Sequence, residues 1–175
     1  MSAHHHAGPA VYAFCPMCAA PLEWRSPAGR PRRACPECGF VHWVNPGVGA
    51  AAVVRDTAGR VLLVRRAAGA TRAGLWSVPA GFVDSGEEVR AAARRELEEE
   101  AGLVAEIGEV LQVASNFHDP AKPTIGIWFA AEVVGGVLQA GDDADAVAFF
   151  ALDDLPDLAF PTDEALLSRL REAAR

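Results

Sequence analysis

Apolar and polar positions along this chain follow two periods. Gly47–Val54 (GVGAAAVV) and Arg60–Arg66 (RVLLVRR) are short runs of small and β-branched residues, and the Asp56-Thr57-Ala58-Gly59 turn between them predicts a hairpin. Leu75–Phe82 (LWSVPAGF) predicts a short strand broken by Pro79, after a small, basic loop at Ala67–Gly74. The period then lengthens. Val89, Ala92, Ala93 and Leu97 share one face of a helix and should pack on the sheet, leaving Glu96, Glu99 and Glu100 toward another side. Ser85 with Glu88 predicts a capping box at the start of this helix, and Gly102 an αL stop at its end.

Strands are expected next at Glu109–Ser115 and Thr124–Val134, joined by a loop through His118 and Pro120. A turn at Gly135-Gly136, a strand at Ala146–Ala151 and a short helical turn at Leu152–Pro156 follow. Thr162–Ala174 reads as a terminal amphipathic helix capped by Thr162. The expected fold class is mixed α/β, with helices packed on a central sheet.

The first 45 residues follow another logic. Cys15-Pro-Met-Cys18 and Cys35-Pro-Glu-Cys38 are two knuckles separated by sixteen residues, and Ser26–Pro31 reads as the tip of a hairpin between them. Each knuckle presents two thiolates on a tight turn, and together they give the tetrahedral sulfur set that zinc prefers. Gly39 supplies the backbone freedom such a turn needs. So short a segment has little core, so bound Zn2+ would supply its folding free energy and is read as structural. His42 could compete as a ligand, but four cysteines complete the set. Asn45-Pro46 marks a junction, which predicts a zinc ribbon over 11–45 and a larger domain over 46–175.

An apolar fraction of 51% in 175 residues indicates a folded chain with one good core and a small appendage. No apolar run nears the ~20 residues that span a bilayer. The start, MSAHHHAGPA, lacks the basic and apolar regions of a signal peptide, and CxxC pairs without a leader read as metal ligands, so the expected location is cytoplasmic. The net charge of −7 argues against broad electrostatic binding to nucleic acid and leaves only a local basic patch as a route to it.

Charge becomes most informative between Gly81 and Leu103. Glu96, Glu98, Glu99 and Glu100 occupy four of five consecutive positions near the end of the predicted helix. Glu96 faces Glu99 and Glu100 at i,i+3 and i,i+4, and each like-charged pair costs about 0.2–0.5 kcal/mol. The macrodipole disfavours acids at that end as well. A hard divalent cation with oxygen ligands would relieve the repulsion.

Spacing gives this acidity a meaning. Gly81, five residues, Glu87, seven residues, then Arg95-Glu96-Leu97-x-Glu99-Glu100-x-Gly102-Leu103 resembles the Nudix box at every specified position. Leu75-Trp76-x-Val78-Pro79-Ala80-Gly81 resembles the usual approach to that box. The chain is thus similar to the Nudix hydrolases over residues 46–175. The resemblance implies an α/β/α sandwich with a mixed sheet, and hydrolysis of a nucleoside diphosphate linked to another moiety. It implies that Glu96, Glu99 and Glu100 bind Mg2+ or Mn2+ with help from a backbone carbonyl at Ala80 or Gly81. Arg95 would orient the glutamates, Glu87 would belong to the same metal-holding network, and the base would be Glu99, Glu100 or, equally, an acid outside the box. A further acid would have to be Asp143 or Asp145, since many relatives carry a Glu where this chain has Ala146.

With the ribbon and the Gly39-Phe-Val-His42-Trp43-x-Asn45-Pro46 junction, the chain resembles ribbon-bearing ADP-ribose and FAD pyrophosphatases. The tail Phe150–Pro156 with Leu158–Phe160 agrees. The alternative group, NADH pyrophosphatases that also remove NAD caps from RNA, carries Ser-Gln-Pro-Trp where this chain has Ser115-Asn116-Phe117-His118. The expected partner is a small-molecule nucleotide substrate, with nucleic acid only as capped RNA, and the relatives suggest a homodimer. A silent nucleotide- or nucleic-acid-binding regulator is the alternative of another class; it would be expected to have lost glutamates that this chain keeps.

Blander expectations attach to other residues. Glu98 reads as a solvated charge, and Asp142, Asp143 and Asp145 as a surface loop. Trp76 reads as core. Phe117, Trp128, Phe149 and Phe160 are candidate ring-stacking residues, though strand aromatics are more often core. His118 is a weak candidate for substrate approach, and Arg65, Arg66 and Arg72 for phosphate contact or an exposed face.

Overall fold

The computed structural model describes residues 12–116 and 122–174, which form two compact units, one ending at Pro46 and the other beginning at Gly47. Phe117 and His118 lie outside the described residues. The smaller unit has one hairpin, β1 (Glu23–Arg25) and β2 (Arg32–Ala34), closed by a 3-10 turn at Pro27–Gly29. Its buried side chains are few: Cys15, Leu22 and Cys35 form a cluster against Ala20 and Phe40.

The larger unit contains β3 (Gly47–Val54), β4 (Val61–Arg66), β5 (Trp76–Ser77), β6 (Ala80–Phe82), α1 (Val89–Ala101), β7 (Leu103–Asn116), β8 (Thr124–Gly136), β9 (Ala144–Phe150) and α2 (Pro161–Ala173). One sheet has the order β6-β3-β8-β7, with β3 and β8 parallel and the other pairs antiparallel. A second, antiparallel sheet has the order β5-β4-β9.

Strand alternation divides the core. Ala51, Val53, Val61 and Leu63 point to one side and pack with Leu166 and Leu167 of α2. Their neighbours Ala52, Val54, Leu62 and Val64 point to the other and meet Leu97 and Ala101 of α1. With both faces covered, β3 is buried continuously from Ala50 to Val54, the unbroken small and β-branched run of a central strand. Ala50 lies against Ala92 and Ala93, small residues that let the helix come close. The result is the expected α/β/α sandwich.

Several boundaries differ from the sequence reading. Ser85 does not cap α1: Gly86 has φ +84, which breaks the helical path, and Glu88 becomes the N-cap by accepting from the N–H groups of Arg90 (2.9 Å) and Ala91 (3.0 Å). Thr162 does not cap α2, because Pro161 takes the first helical position and moves the cap to Phe160. Leu75–Phe82 is divided between the two sheets, and the Pro79 carbonyl accepts from Ala52 N–H at 3.0 Å. β7 starts six residues earlier than expected, where register shifts obscure its alternation. β8 continues through Gly135 and Gly136 instead of turning there. Ala144 and Asp145 belong to β9, and Leu152–Pro156 is a turn and not a helix. Gly102 does close α1, with φ +68 and its N–H on the Glu98 carbonyl. A side chain there would also strike the Val137 carbonyl.

Candidate active site and metal centres

The buried stripe of α1 consists of Ala92, Ala93, Glu96, Leu97, Glu100 and Ala101. Two of its six positions are carboxylates, which corrects the expectation that all three box glutamates turn away from the packed face. Glu96 is 8% exposed and Glu100 2%, while Glu99, one step along the helix, is exposed. The stripe tolerates these acids because β6 faces them with backbone. Ala80 N–H donates to Glu100 Oε2 at 2.9 Å. Gly81 lies so close beneath the Glu96 carboxylate that any Cβ would overlap it.

Arg95 gathers the other acids. Its Nε and Nη2 donate to the two oxygens of Glu87 at 2.8 and 2.9 Å. Its Nη1 donates to Glu96 Oε1 at 2.7 Å and Glu99 Oε2 at 3.0 Å, and Nη2 also reaches the Phe82 carbonyl at 3.0 Å. A guanidinium has five N–H donors, so all are engaged and none is left for a substrate. Glu87 also accepts from Asp84 N–H at 3.0 Å. Hydrogen bonds from Arg95 pull the Glu87 carboxyl down to about 2.

Burial acts the other way on the two inner acids. It pushes the Glu100 carboxyl up to about 9, a shift that the Asp143 carboxylate adds to and the Ala80 N–H opposes. Burial also raises Glu96, against the pull of Arg95, and Glu99 and Asp142 add repulsion. The acidic loop therefore bears on this cluster. Gly141 N–H donates to the Glu100 carbonyl at 3.2 Å, which seats the loop on the last turn of α1. Asp143 also meets Arg66 Nη2 at 3.3 Å, whereas Asp145 pairs with Arg65 at 2.7 Å. Of the two acids considered for an additional role, geometry brings Asp143 to Glu100.

These oxygens suit a hard divalent cation. The carboxylates repel one another, and one is almost wholly buried, a condition that a Mg2+ or Mn2+ ion relieves. Glu96, Glu99 and Glu100 could supply oxygens to such an ion, and Arg95 ties Glu96 and Glu99 to Glu87.

The other sequence candidates separate clearly. Glu98 is exposed. Trp128 is 5% exposed and donates through Nε1 to Asp163 Oδ1 at 2.8 Å, so it is core and not a stacking platform. Trp76 packs edge-on against Phe150 at 4.8 Å. Phe160 has the guanidinium groups of Arg66 and Arg72 at 5.5 and 5.6 Å. Phe149 has Arg60 at 6.0 Å. Asp163 went unnoticed in the sequence. It is 3% exposed, accepts from Val78 N–H at 3.1 Å as well as Trp128, and joins α2 to the segment leading into β6. Burial pushes it up to about 6 against those two donors. Nothing in its exposed-looking Pro-Thr-Asp-Glu context marks it.

In the smaller unit the Sγ atoms of Cys15, Cys18, Cys35 and Cys38 all lie within 4.8 Å of one another. Cys15–Cys38 and Cys18–Cys35 are 3.6 and 3.5 Å apart. Disulfide sulfurs are about 2.05 Å apart. A tetrahedron with Zn–S bonds of about 2.3 Å has edges of about 3.8 Å. The donor set thus fits zinc. The knuckles match: Ala19 N–H returns to the Cys15 carbonyl at 2.9 Å and Gly39 N–H to that of Cys35 at 3.2 Å, with φ +61 and +77. The Cys38 N–H, against burial, draws the Cys35 thiol down to about 7. His42 is no part of this set; its ring lies 4.7 Å from that of Tyr12.

Comparison with known proteins bears on both units. Residues 45–170 match the family model described as NUDIX domain, and residues 13–44 the one described as Nudix N-terminal, a zinc ribbon. An ADP-ribose pyrophosphatase of Methanocaldococcus jannaschii is 35% identical over 130 residues, covering 74% of this chain and 76% of the relative. An NAD-capped RNA hydrolase NudC of Stutzerimonas stutzeri is 31% identical over 160 residues, 91% of this chain but only 54% of the relative. The crystal structure of a NUDIX hydrolase from Nitrosomonas europaea superimposes with a TM-score of 0.80 at 30% identity, covering 93% of each chain.

Proposed function

This chain belongs to the NUDIX domain family, and from that premise we propose that it is a metal-dependent pyrophosphohydrolase cleaving nucleoside diphosphates linked to another moiety, ADP-ribose first. We read residues 11–45 as the zinc ribbon and 46–175 as the catalytic domain. The observation that carries the reading is the carboxylate cluster at the end of α1. Glu96 and Glu100 are sunk against the β6 backbone, Glu99 is exposed beside them, and Arg95 spans Glu87, Glu96 and Glu99.

Bound Mg2+ or Mn2+ would neutralise the pyrophosphate and lower the pKa of a water. The protein's own part is to hold Glu96, Glu99 and Glu100 as oxygen ligands on one helical turn, helped by a backbone carbonyl at Ala80 or Gly81 on the facing strand. Arg95 is a positioning residue, because its donors are spent on the acids. Glu99 is the candidate base: it is exposed, whereas Glu100 is buried and held by Ala80.

ADP-ribose is favoured by the relative of that name, which this chain matches over three quarters of its length. FAD is the second member of the same substrate group. A reading as an NADH pyrophosphatase that decaps NAD-RNA has one observation in its favour, the match to the NudC relative that extends over 91% of this chain. Against it stands Ser115-Asn116-Phe117-His118 in place of Ser-Gln-Pro-Trp. Incubation with ADP-ribose, FAD, NADH and NAD-capped RNA, each with magnesium or manganese, separates these by AMP or 5′-phosphate release. Cleavage of only NADH or capped RNA would overturn the preferred assignment, and metal-independent cleavage would overturn the site.

A homodimer belongs to the proposal, supported by the edge position of β7 and the exposed Val110 and Val113 on it. None of the described helices is long and apolar enough to cross a membrane. Cytoplasmic residence is the compartment in which four free thiols would remain ligands.

A further inference from the structure

Glu96, Glu100 and Asp163 are the buried acids among the described residues, and the hydrolytic reading uses only the first two. Asp163 continues a strand pairing that the backbone leaves unfinished. Residues 157–159 run parallel to Trp76: Trp76 N–H donates to the Asp157 carbonyl at 3.0 Å, and Ala159 N–H to the Trp76 carbonyl at 2.6 Å. In a parallel ladder the next donor, Val78 N–H, would take the Ala159 carbonyl. That carbonyl accepts from Arg72 Nη1 instead, and the chain turns into α2 at Pro161. Asp163 Oδ2 takes the rung, 3.1 Å from Val78 N. Its other oxygen is held by Trp128 Nε1 at 2.8 Å. The helix that carries it is anchored separately, by Leu166 and Leu167 in the core and by Gln112 Nε2 on the Thr162 carbonyl at 3.0 Å.

The rung lies immediately before the carboxylate site. Pro79 has no N–H, so the next donor after Val78 is that of Ala80, which holds Glu100 Oε2 at 2.9 Å. The N–H groups of Trp76, Val78 and Ala80 thus end on the Asp157 carbonyl, the Asp163 carboxylate and the Glu100 carboxylate in turn. Gly81 follows, so close beneath Glu96 that no Cβ fits between them. This backbone has no slack where it meets the two inner acids.

We propose that Asp163 is a positioning residue for hydrolysis: by holding Val78 N–H it fixes the depth at which Ala80 and Gly81 meet Glu100 and Glu96. It acts through the Val78–Gly81 backbone and touches neither substrate nor metal. A misplacement of about 1 Å at a reacting centre costs about 100-fold in rate, so loosening this rung reaches the chemistry without unfolding the chain. The bond from Trp128 serves packing, because the indole has no backbone route of this kind to Ala80. The role presupposes that the carboxylate cluster is the hydrolytic centre.

The test separates the two donors in a Trp128→Phe background, where Val78 N–H is the one left to Asp163. There Asp163→Asn keeps an oxygen for Val78, whereas Asp163→Leu fills nearly the same space without an acceptor. With the full zinc-loaded chain, magnesium and ADP-ribose, Trp128→Phe and Trp128→Phe/Asp163→Asn should hold kcat within a few-fold of the parent. Trp128→Phe/Asp163→Leu should lose about tenfold or more in kcat with KM little changed. Amide hydrogen exchange of the magnesium-free chains needs no substrate. Referenced to Leu62 and Leu63 in β4, so that a general loss of stability cancels, Val78 and Ala80 should exchange about tenfold or more faster in the leucine variant and at the parental rate in the asparagine variant. A parent that cleaves nothing would sink the hydrolytic reading, while the exchange rates would still show whether Asp163 holds Ala80. Equal kcat or equal exchange in the two double variants would overturn the proposal, as would a loss of kcat already complete in Trp128→Phe. If the leucine variant does not fold, Asp163→Asn alone, with two donors competing for one oxygen, should lose kcat and Trp128→Phe should restore it; no restoration would overturn the role.

Discussion

Replacing Glu100 with Gln should make the magnesium-free protein more stable while abolishing most of its activity. Glu100 is 2% exposed, and burial raises its carboxyl from an ordinary 4.5 to about 9. Because the folded value lies above the unfolded one, the contribution to stability is complete below pH 4.5 and is lost progressively as pH rises toward about 9. At pH 7 the difference is about 2.5 pH units at 1.36 kcal/mol each, or about 3 kcal/mol. Glutamine keeps the shape and the acceptor for Ala80 N–H without the ionisation, so it escapes this penalty. For a protein of this size about 3 kcal/mol raises the melting temperature by roughly 6–12 °C. The assay is thermal unfolding in magnesium-free buffer between pH 5 and 8, with zinc left in place. The advantage of Glu100→Gln should widen with pH, and added magnesium should stabilise the parent far more than the variant. Turnover should fall at least about 100-fold. A variant no more stable than the parent at pH 7 would refute the burial argument, and magnesium-dependent turnover at the parental rate would refute the ligand assignment.

Four further outcomes test other parts of the structure. Arg95→Ala frees Glu87, Glu96 and Glu99 together, so kcat should drop about 10- to 100-fold with KM little changed; a change confined to KM would mean that Arg95 touches substrate. Asp163→Ala leaves the Val78 and Trp128 donors buried without an acceptor and should cost about 2–4 kcal/mol in urea unfolding, a figure that a shift below about 0.5 kcal/mol would contradict. Gly81→Ala forces a methyl group into the Glu96 carboxylate and should abolish magnesium-dependent turnover while the far-UV spectrum stays the same. Removing zinc with a thiol-directed mercurial should release one ion per chain and unfold the hairpin of residues 23–34; thiol-specific chelation that leaves the ribbon's stability untouched would rule the zinc site out.

The sequence spoke clearly wherever spacing carried the information. The two CxxC knuckles and the box from Gly81 to Leu103 have fixed intervals, and their residues converge in space as those intervals imply. Apolar runs also revealed β3 and β4, since strands covered on both sides are apolar without interruption. What remained hidden depends on contacts distant in the chain. Asp163 looks like any helix-start acid until Val78 and Trp128 are brought to it. The start of α1 moved because the φ of Gly86, and not the Ser-x-x-Glu pattern, decides where the helical path begins. The early part of β7 lost its alternation to register shifts that only its pairing with β8 discloses. Asp143 could be named as a candidate acid but not preferred over Asp145 until the fold brought it to Glu100.

Consecutive positions on α1 acquire different chemistry through rotation alone. Glu99 and Glu100 are the same residue type about 100° apart around the helix. Glu99 faces solvent and shares Arg95; Glu100 enters the packed stripe and accepts from Ala80. Depth is therefore what distinguishes them, and depth is available only because β6 opposes the helix with Ala80 and Gly81 and β3 with Ala50. The same small residues that admit the carboxylates exclude side chains that could neutralise them from below. Arg95 can reach Glu96 and Glu99 from above, but Glu100 is left with one backbone donor and an acidic loop for a neighbour. A divalent cation would meet that deficit, so removing the carboxylate should favour the metal-free fold at the expense of the site.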